Sequence, residues 1–338
     1  MKRRFLIYWG VLPLGLLVLV AMGGRQEGGV GGSPTETLMV LFHSDQNGYL
    51  TPCGCAKPMI GGLPRRGTYI RSLPPTAALI KVDNGDLTHA LNRQDELKAE
   101  TIIEMYNELG YDALNLGEKD FRLGLPYLQT LQAKFRGTIL CANVRKADGT
   151  PLFKEYGLLK REVQNQSVQI AVVGVISEAL ENQIRERNPE VKVEPASAAL
   201  ERLQEILPSS DVRILLYHGP KVEAEKLAER FPQFQMVVYA HGGDYTADPK
   251  ERVGNTFLVN NGKDGKYVGQ VVLSFAASWQ VSEVKYIKLE ERIKEDERLL
   301  QIKMAYLERV AAENLLEQVP KLPTKNGDTF TGSKSCAP

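Results

Sequence analysis

Two apolar runs in this chain end in histidine, Leu215-Leu216-Tyr217-His218 and Val237-Val238-Tyr239-Ala240-His241, and two earlier ones open into acids, at Ser44-Asp45 and Asn84-Gly85-Asp86. Imidazole and carboxylate are the side chains that hold divalent ions. In an α/β sheet the loops at the carboxyl ends of the strands converge on one crevice, so ligands spread over ~200 residues can meet in space. Metal-assisted hydrolysis of a phosphate ester is the starting hypothesis for such a set. The competing reading is four unrelated polar strand caps.

The elements that must position these groups follow from hydrophobic patterning. A buried first strand over 38–42 opens at His43-Ser44-Asp45, and 77–82 repeats the arrangement before Asp83-Asn84-Gly85-Asp86. Leu97, Ile102, Met105, Tyr106 and Leu109 have helical spacing over 95–109, and Gly110 ends that helix. A strand over 113–116, a helix over 125–135 and a strand over 138–142 come next. Alternating segments then fill 152–175, with turn signals at Asp148-Gly149 and Asn165-Gln166. The almost wholly apolar 170–175 reads as a strand covered on both faces. Helices over 196–207 and 222–231 lead into the two histidine strands, and strands over 256–260, 269–275 and 281–289 close the domain. This order predicts an α/β fold of two layered sheets, followed by one long amphipathic helix over 290–318. The stripe of that helix, Leu299, Ile302, Tyr306, Val310 and Leu316, is expected to pack on its own domain rather than on a partner helix.

The chain has 338 residues, 43% hydrophobic and 25% charged, enough for a large core. A formal net charge of +1 gives no global field toward nucleic acid, which is set aside as a partner. Met1-Lys2-Arg3-Arg4 and the apolar run to Met22 make residues 1–24 an export signal or a membrane anchor, and either places the body outside the cytoplasm. Residues 25–37 form a Gly-rich tether, 38–289 the domain, 290–318 the helix and 319–338 a tail. The expected location is the periplasm, with an inner-membrane tether if the segment is retained. Four cysteines, Cys53, Cys55, Cys141 and Cys336, give no disulfide framework.

With these strands placed, 38–289 resembles the calcineurin-like metallophosphoesterases, in particular their periplasmic 5′-nucleotidase branch. The blocks that carry the resemblance are His43-Ser44-Asp45-Gln46-Asn47-Gly48, Asn84-Gly85-Asp86, Asn115-Leu116-Gly117-Glu118-Lys119-Asp120, His218 and His241. Cys141-Ala142-Asn143-Val144 and Val259-Asn260-Asn261-Gly262 resemble that branch more narrowly. The resemblance implies the layered αββα metallophosphoesterase fold and two metal ions sharing Asp86. It also implies in-line attack on a phosphate ester.

Departures from the pattern bear on the chemistry. The first metal's expected ligands become Asp45, Asn47 and Gly243, so two imidazoles are missing and an amide oxygen stands in for one. The second set becomes Asp86, Glu118, His218 and His241, suited to one Mn, Zn or Fe ion. Lys119 replaces the histidine that acts on the phosphate or leaving group. With a reference pKa near ~10.4 it balances charge but donates protons poorly. Lys119 and Asp120 are the catalytic candidates, and weak activity is expected.

Cys53-Gly54-Cys55 sits in the loop that begins at Asp45. It reads as thiolate ligands for a softer metal, a strained disulfide or two inert cysteines. Arg65 and Arg66, beside a helix start, are candidate ligands for a small phosphate- or sulfur-containing anion. The end, Ser335-Cys336-Ala337-Pro338, looks like the approach to a Cys-x-x-Cys-His haem attachment without its second Cys and His, so no haem is expected in this chain. Cys-Gly-Cys loop domains of this kind resemble modules found beside multihaem c-type cytochromes. The alternatives to a hydrolase of phosphate esters are therefore a non-hydrolytic binding or redox-partner domain and a thiosulfate-linked hydrolase.

Overall fold

The structure, a computed structural model, describes residues 37–52, 58–89, 91–205, 207, 210–244 and 246–315. The expected leader, the tether up to residue 36, the cysteine pair at 53 and 55, and the tail with Cys336 lie outside the described residues, while Thr37, the last tether residue, opens β1.

The chain runs through β1 (Thr37–His43), α1 (Leu63–Ser72), β2 (Ala77–Asp83), α2 (Arg93–Leu109), β3 (Ala113–Asn115), α3 (Glu118–Phe121), α4 (Leu125–Lys134) and β4 (Thr138–Leu140). It continues through β5 (Val144–Lys146), β6 (Tyr156–Val163), β7 (Gln166–Ile176), α5 (Glu181–Arg185), β8 (Val191–Val193) and α6 (Ala196–Leu203). The remainder is β9 (Val212–His218), α7 (Lys221–Arg230), β10 (Met236–Tyr239), β11 (Arg252–Val253), β12 (Thr256–Val259), β13 (Tyr267–Phe275), β14 (Trp279–Lys288) and α8 (Glu297–Ala312).

One sheet has the order β14-β13-β1-β2-β3-β4 and the other β11-β12-β10-β9-β7-β6, while β5 and β8 pair separately. Strands β1 to β4 are parallel, as are β7, β9, β10 and β12, and antiparallel hairpin strands flank each parallel block.

Period-two alternation explains why the two sheets stack. In β1, Leu38, Val40 and Phe42 point into a layer shared with Ile80, Val82, Ile170, Val172, Ile214, Leu216 and Val238 of both sheets. Met39 and Leu41 of the same strand point the other way, under α1, α2, α4 and α8. On the outer face of the second sheet Val173, Leu215 and Val237 lie under α6 and α7. Helices therefore cover both outer faces of two packed sheets, the αββα arrangement expected, and strands buried on both sides read as continuous apolar runs.

Several boundaries shift for local reasons. The Asn92 side chain accepts from Asp95 N–H, so α2 starts two residues before 95, and Gly110 at φ 66° ends it as its sequence implied. The hairpin between β6 and β7 turns on Gln164 and Asn165, both left-handed, one residue earlier than the turn signal suggested. The expected start of the long helix at 290 is corrected, and 316–318, with Leu316 of its stripe, lie outside the described residues. Asp296 caps α8 by accepting from Leu299 N–H at 3.0 Å, so 290–296 is a connector and the helix begins at Glu297. Leu299, Ile302, Tyr306 and Val310 are buried, so the apolar stripe packs on its own domain. Among the described residues no helix is long and apolar enough to cross a membrane.

Candidate metal centre

The parallel strands of both sheets end along one edge, and the chain turns sharply there. Asp45 (φ 50°) and Asn47 (φ 52°) follow β1, Asp86 (φ 58°) follows β2, and His241 (φ 56°) follows β10, all in the left-handed region. Eight non-glycine residues among those described have positive φ, and half of them are these four. Such backbone costs about 1–3 kcal/mol per residue and persists where surrounding structure enforces it, which marks this edge as a built site.

The side chains meet. Ligand atoms of Asp45, Asp86, His218 and His241 all lie within 4.8 Å of one another. His218 Nε2 is 3.1 Å from His241 Nε2, 3.0 Å from Glu118 Oε2 and 3.5 Å from Asp86 Oδ1. Glu118 Oε2 is also 3.3 Å from His241 Nε2. Donor atoms that each sit ~2.1 Å from a common ion in tetrahedral array are ~3.4 Å apart, so nitrogens and oxygens at these separations fit one divalent ion.

The electrostatics agree with that use. Burial alone would lower the pKa of His218, but the carboxylates of Asp86, Glu118 and Asp45 outweigh it and raise it to about 10. Burial likewise opposes the charge on Glu118, yet hydrogen bonds and the charges of the two histidines hold its carboxyl well below the usual range. Asp45 is shifted up, by burial first and by Asp86 next, against the pull of His218, His241 and Lys119. The cluster is thus short of positive charge at its centre. His218 Nδ1 faces the Asn84 carbonyl, which only accepts, so Nδ1 carries its proton and Nε2 is the nitrogen aimed at the acids.

The backbone is shaped to allow this approach. A Cβ on Gly117 would lie 2.2 Å from Asp86 Oδ1 and 2.4 Å from His218 Cε1, so only glycine lets this loop close over the ligands. Gly85, at φ 92°, would carry a Cβ 2.4 Å from Gly117 N. Asp45 Oδ2 accepts from His241 N–H at 3.1 Å, joining the loops after β1 and β10.

Lys119 also belongs to the crevice. Its ammonium sits against Asp86 Oδ2, 3.1 Å from Asn47 Oδ1 and 3.8 Å from Glu118 Oε1. Burial would lower its pKa, but Asp86, Glu118 and Asp45 together raise it.

Asp120 behaves differently from a catalytic carboxyl. Its Oδ2 accepts from Asp86 N–H at 2.8 Å and Gly117 N–H at 2.9 Å, and its Oδ1 accepts from Leu87 N–H at 2.8 Å. It is a positioning residue that ties two ligand loops from behind. Burial, followed by the charge of Asp86, raises its pKa to about 7 against the pull of those amides.

The expectation that Arg65 and Arg66 bind an anion is corrected. Both are buried. Arg65 donates to the Met59 carbonyl at 2.7 Å, and Arg66 donates to Gln46 Oε1 at 2.6 Å and to the hydroxyls of Tyr106 and Tyr111 at 3.3 Å. Proximity to a helix start told which residues lie near the turn but not which way they point. Arg66 instead holds a buried network in which Tyr106 stacks on Tyr111 at 4.0 Å and donates to Asp83 at 2.7 Å.

Residue-by-residue reasoning overlooked the asparagines at the strand ends. Asn84 donates to the Tyr217 and Val238 carbonyls, at 2.9 and 3.0 Å. Asn115 donates to Asn84 Oδ1, Val175 O and Leu216 O. The signal available was a fully polar side chain placed directly after an apolar strand, inside blocks already singled out for their acids.

No family model matches the chain. Protein UshA of Escherichia coli K12 is 24% identical over 234 residues, which cover 59% of this chain and 41% of UshA. The chain thus spans about two fifths of the length of the curated relatives it matches. Among solved structures, the calcineurin-like phosphoesterase YfkN of Bacillus subtilis superposes with a TM-score of 0.68 at 20% identity, covering 82% of this chain and all of that one. The fold is that of the calcineurin-like metallophosphoesterases. A 5′-nucleotidase precursor from Thermus thermophilus gives 0.66 at 21% identity, over 83% of this chain and 60% of its own. The centre described above lies at the strand ends of this shared fold.

Proposed function

We propose that this chain is a metal-dependent hydrolase of phosphate esters working with one divalent ion, Mn, Zn or Fe, outside the cytoplasm. The observation that carries the reading is the convergence of Asp45, Asp86, His218 and His241 from four strand ends onto one point, with Glu118 beside both imidazoles. When bound, the ion would polarise a phosphoryl oxygen and make a coordinated water acidic enough to act as nucleophile near neutral pH. Around it the protein's own groups have distinct tasks. Asp45 and Asp86 fix the acidic floor, Glu118 orients the two imidazoles, and Asp120 clamps the loops. Lys119 presents a positive charge toward an anionic substrate. No imidazole stands at position 119 to protonate a leaving group, so turnover is expected to be slow and to favour esters with good leaving groups. The basic and apolar start of the sequence supports export, and the crevice chemistry suits a small phosphate- or sulfur-containing anion.

Metal content of the full chain, purified without chelator or affinity histidines, tests this together with hydrolysis of bis-p-nitrophenyl phosphate and of a nucleoside 5′-monophosphate. About one equivalent is expected, with metal and hydrolysis both lost by ~100-fold or more in His218→Ala. A chain that holds no metal and hydrolyses neither ester would overturn the reading and leave a binding or redox-partner role.

A further inference from the structure

Asp86 divides its carboxylate between two neighbourhoods. Oδ1 faces His218 Nε2 at 3.5 Å and accepts from Lys119 N–H at 3.1 Å, whereas Oδ2 is held by the Lys119 ammonium. The ammonium's other close partner is Asn47 Oδ1 at 3.1 Å. The orientation of the Asn47 amide is fixed independently, because its Nδ2 donates to Asp264 Oδ1 at 3.1 Å. Asp264 N–H donates in turn to the Asp45 carbonyl at 2.8 Å. So the oxygens of Asp86 and Asn47 that face away from the histidine cluster converge on a cation already attached to the chain.

We infer that the Lys119 ammonium is a built-in cation that occupies a second cation position of this centre, beside Asp86 Oδ2 and Asn47 Oδ1, and excludes a second metal ion. This rests on the metal-hydrolase reading above and explains its single ion. A metal ion and an ammonium compete for the same oxygens. The remaining donors there are a carboxylate and a neutral amide, which bind a dication weakly without imidazole support. The ammonium is covalently attached, four-fifths buried and surrounded by the acids Asp86, Glu118 and Asp45, so it is always present at high local concentration. It places a fixed positive charge next to the exchangeable one, which favours a substrate carrying at least two anionic oxygens.

The test is Mn²⁺ loading of the full chain, read by equilibrium metal content and by electron paramagnetic resonance at saturating metal. Wild type is expected to hold one ion with an uncoupled six-line spectrum. Lys119→Ala is expected to take up a second ion and show the exchange coupling of two manganese ions ~3.5–4 Å apart. Lys119→Arg keeps the charge and is expected to remain at one. Lys119→Met, which keeps the stem and removes the charge, repeats the measurement should the alanine variant melt below wild type. Two coupled ions in wild type, or a single ion in both neutral variants, would overturn the inference while leaving the hydrolase reading intact. No bound ion in any of the four proteins would overturn both.

Discussion

Asp120 is the residue whose environment most changes its meaning. Following Glu118 and Lys119 in the chain, it invites a chemical role, yet both its oxygens accept from backbone amides, three in all, of the loops carrying Asp86 and Gly117. In Asp120→Asn the side-chain NH₂ must face one of those N–H groups, which leaves a buried donor unsatisfied at a cost of about 1–3 kcal/mol. A lower melting temperature and metal affinity reduced by ~10–100-fold are expected, measured by thermal denaturation with and without metal and by metal titration. A variant with unchanged affinity would show that the clamp does not set ligand geometry. Lys119 makes the complementary point. Its neighbour Asp120 is bound to loop amides, while its own ammonium reaches Asp86 and Asn47 at the centre.

At the scale of elements, the site depends on how closely β3 and the start of α3 approach β9. The short α3 begins at Glu118 directly after Gly117, so the loop must pass over Asp86 and His218 with no side chain between. Gly117 has an ordinary φ of −102°, so alanine is conformationally acceptable there and the objection is purely one of space. Gly117→Ala is therefore expected to leave the circular dichroism spectrum intact while lowering metal affinity by ~100-fold, because Asp86 Oδ1 and His218 must both move. Retention of metal with wild-type affinity would mean the ligand loops have slack the geometry does not show. Helix α8 has no part in this. It covers the first sheet's helical layer through Leu299, Ile302, Tyr306 and Val310, and Asp296 at its start also pairs with Arg71 at 2.7 Å.

At the scale of the whole molecule, the problem is to hold two sheets in register at the edge where their strands end. The apolar layer between them is non-directional and sets distance more than alignment. Direction comes from Asn84 at the end of β2, which donates to carbonyls of β9 and β10 in the other sheet, and from Asn115, which reaches β7 and β9. The Asn84 carbonyl also fixes the His218 ring, so inter-sheet alignment and metal-ligand orientation share one residue. Asn84→Ala removes the inter-sheet hydrogen bonds to the Tyr217 and Val238 carbonyls and the one accepted from Asn115, and is expected to cost about 2–4 kcal/mol in urea denaturation, with metal affinity falling as well. A loss of stability without any change in metal binding would separate the two roles.

Much of this was legible from the sequence. The strands ending at His43, Asp83, His218 and Tyr239 announce themselves through short apolar runs, and the donors after them are the residues that converge. Periodicity and strand-end chemistry are encoded within windows of about ten residues, so they survive without knowledge of the rest of the chain. The reversal for Arg65 and Arg66, the clamp role of Asp120 and the inter-sheet asparagines were not legible, because each depends on what lies opposite. Gln46, Tyr106 and Tyr111 receive the Arg66 guanidinium from other elements.

The sequence alone therefore determined the inventory: two sheets' worth of buried strands, an α/β order, and acids and imidazoles at strand ends. Tertiary structure decided the distances. A coordination site requires atoms ~3 Å apart from residues nearly 200 positions apart, and no local pattern carries that information. Sheet order and register supply it, and they place the Lys119 ammonium on Asp86 and Asn47.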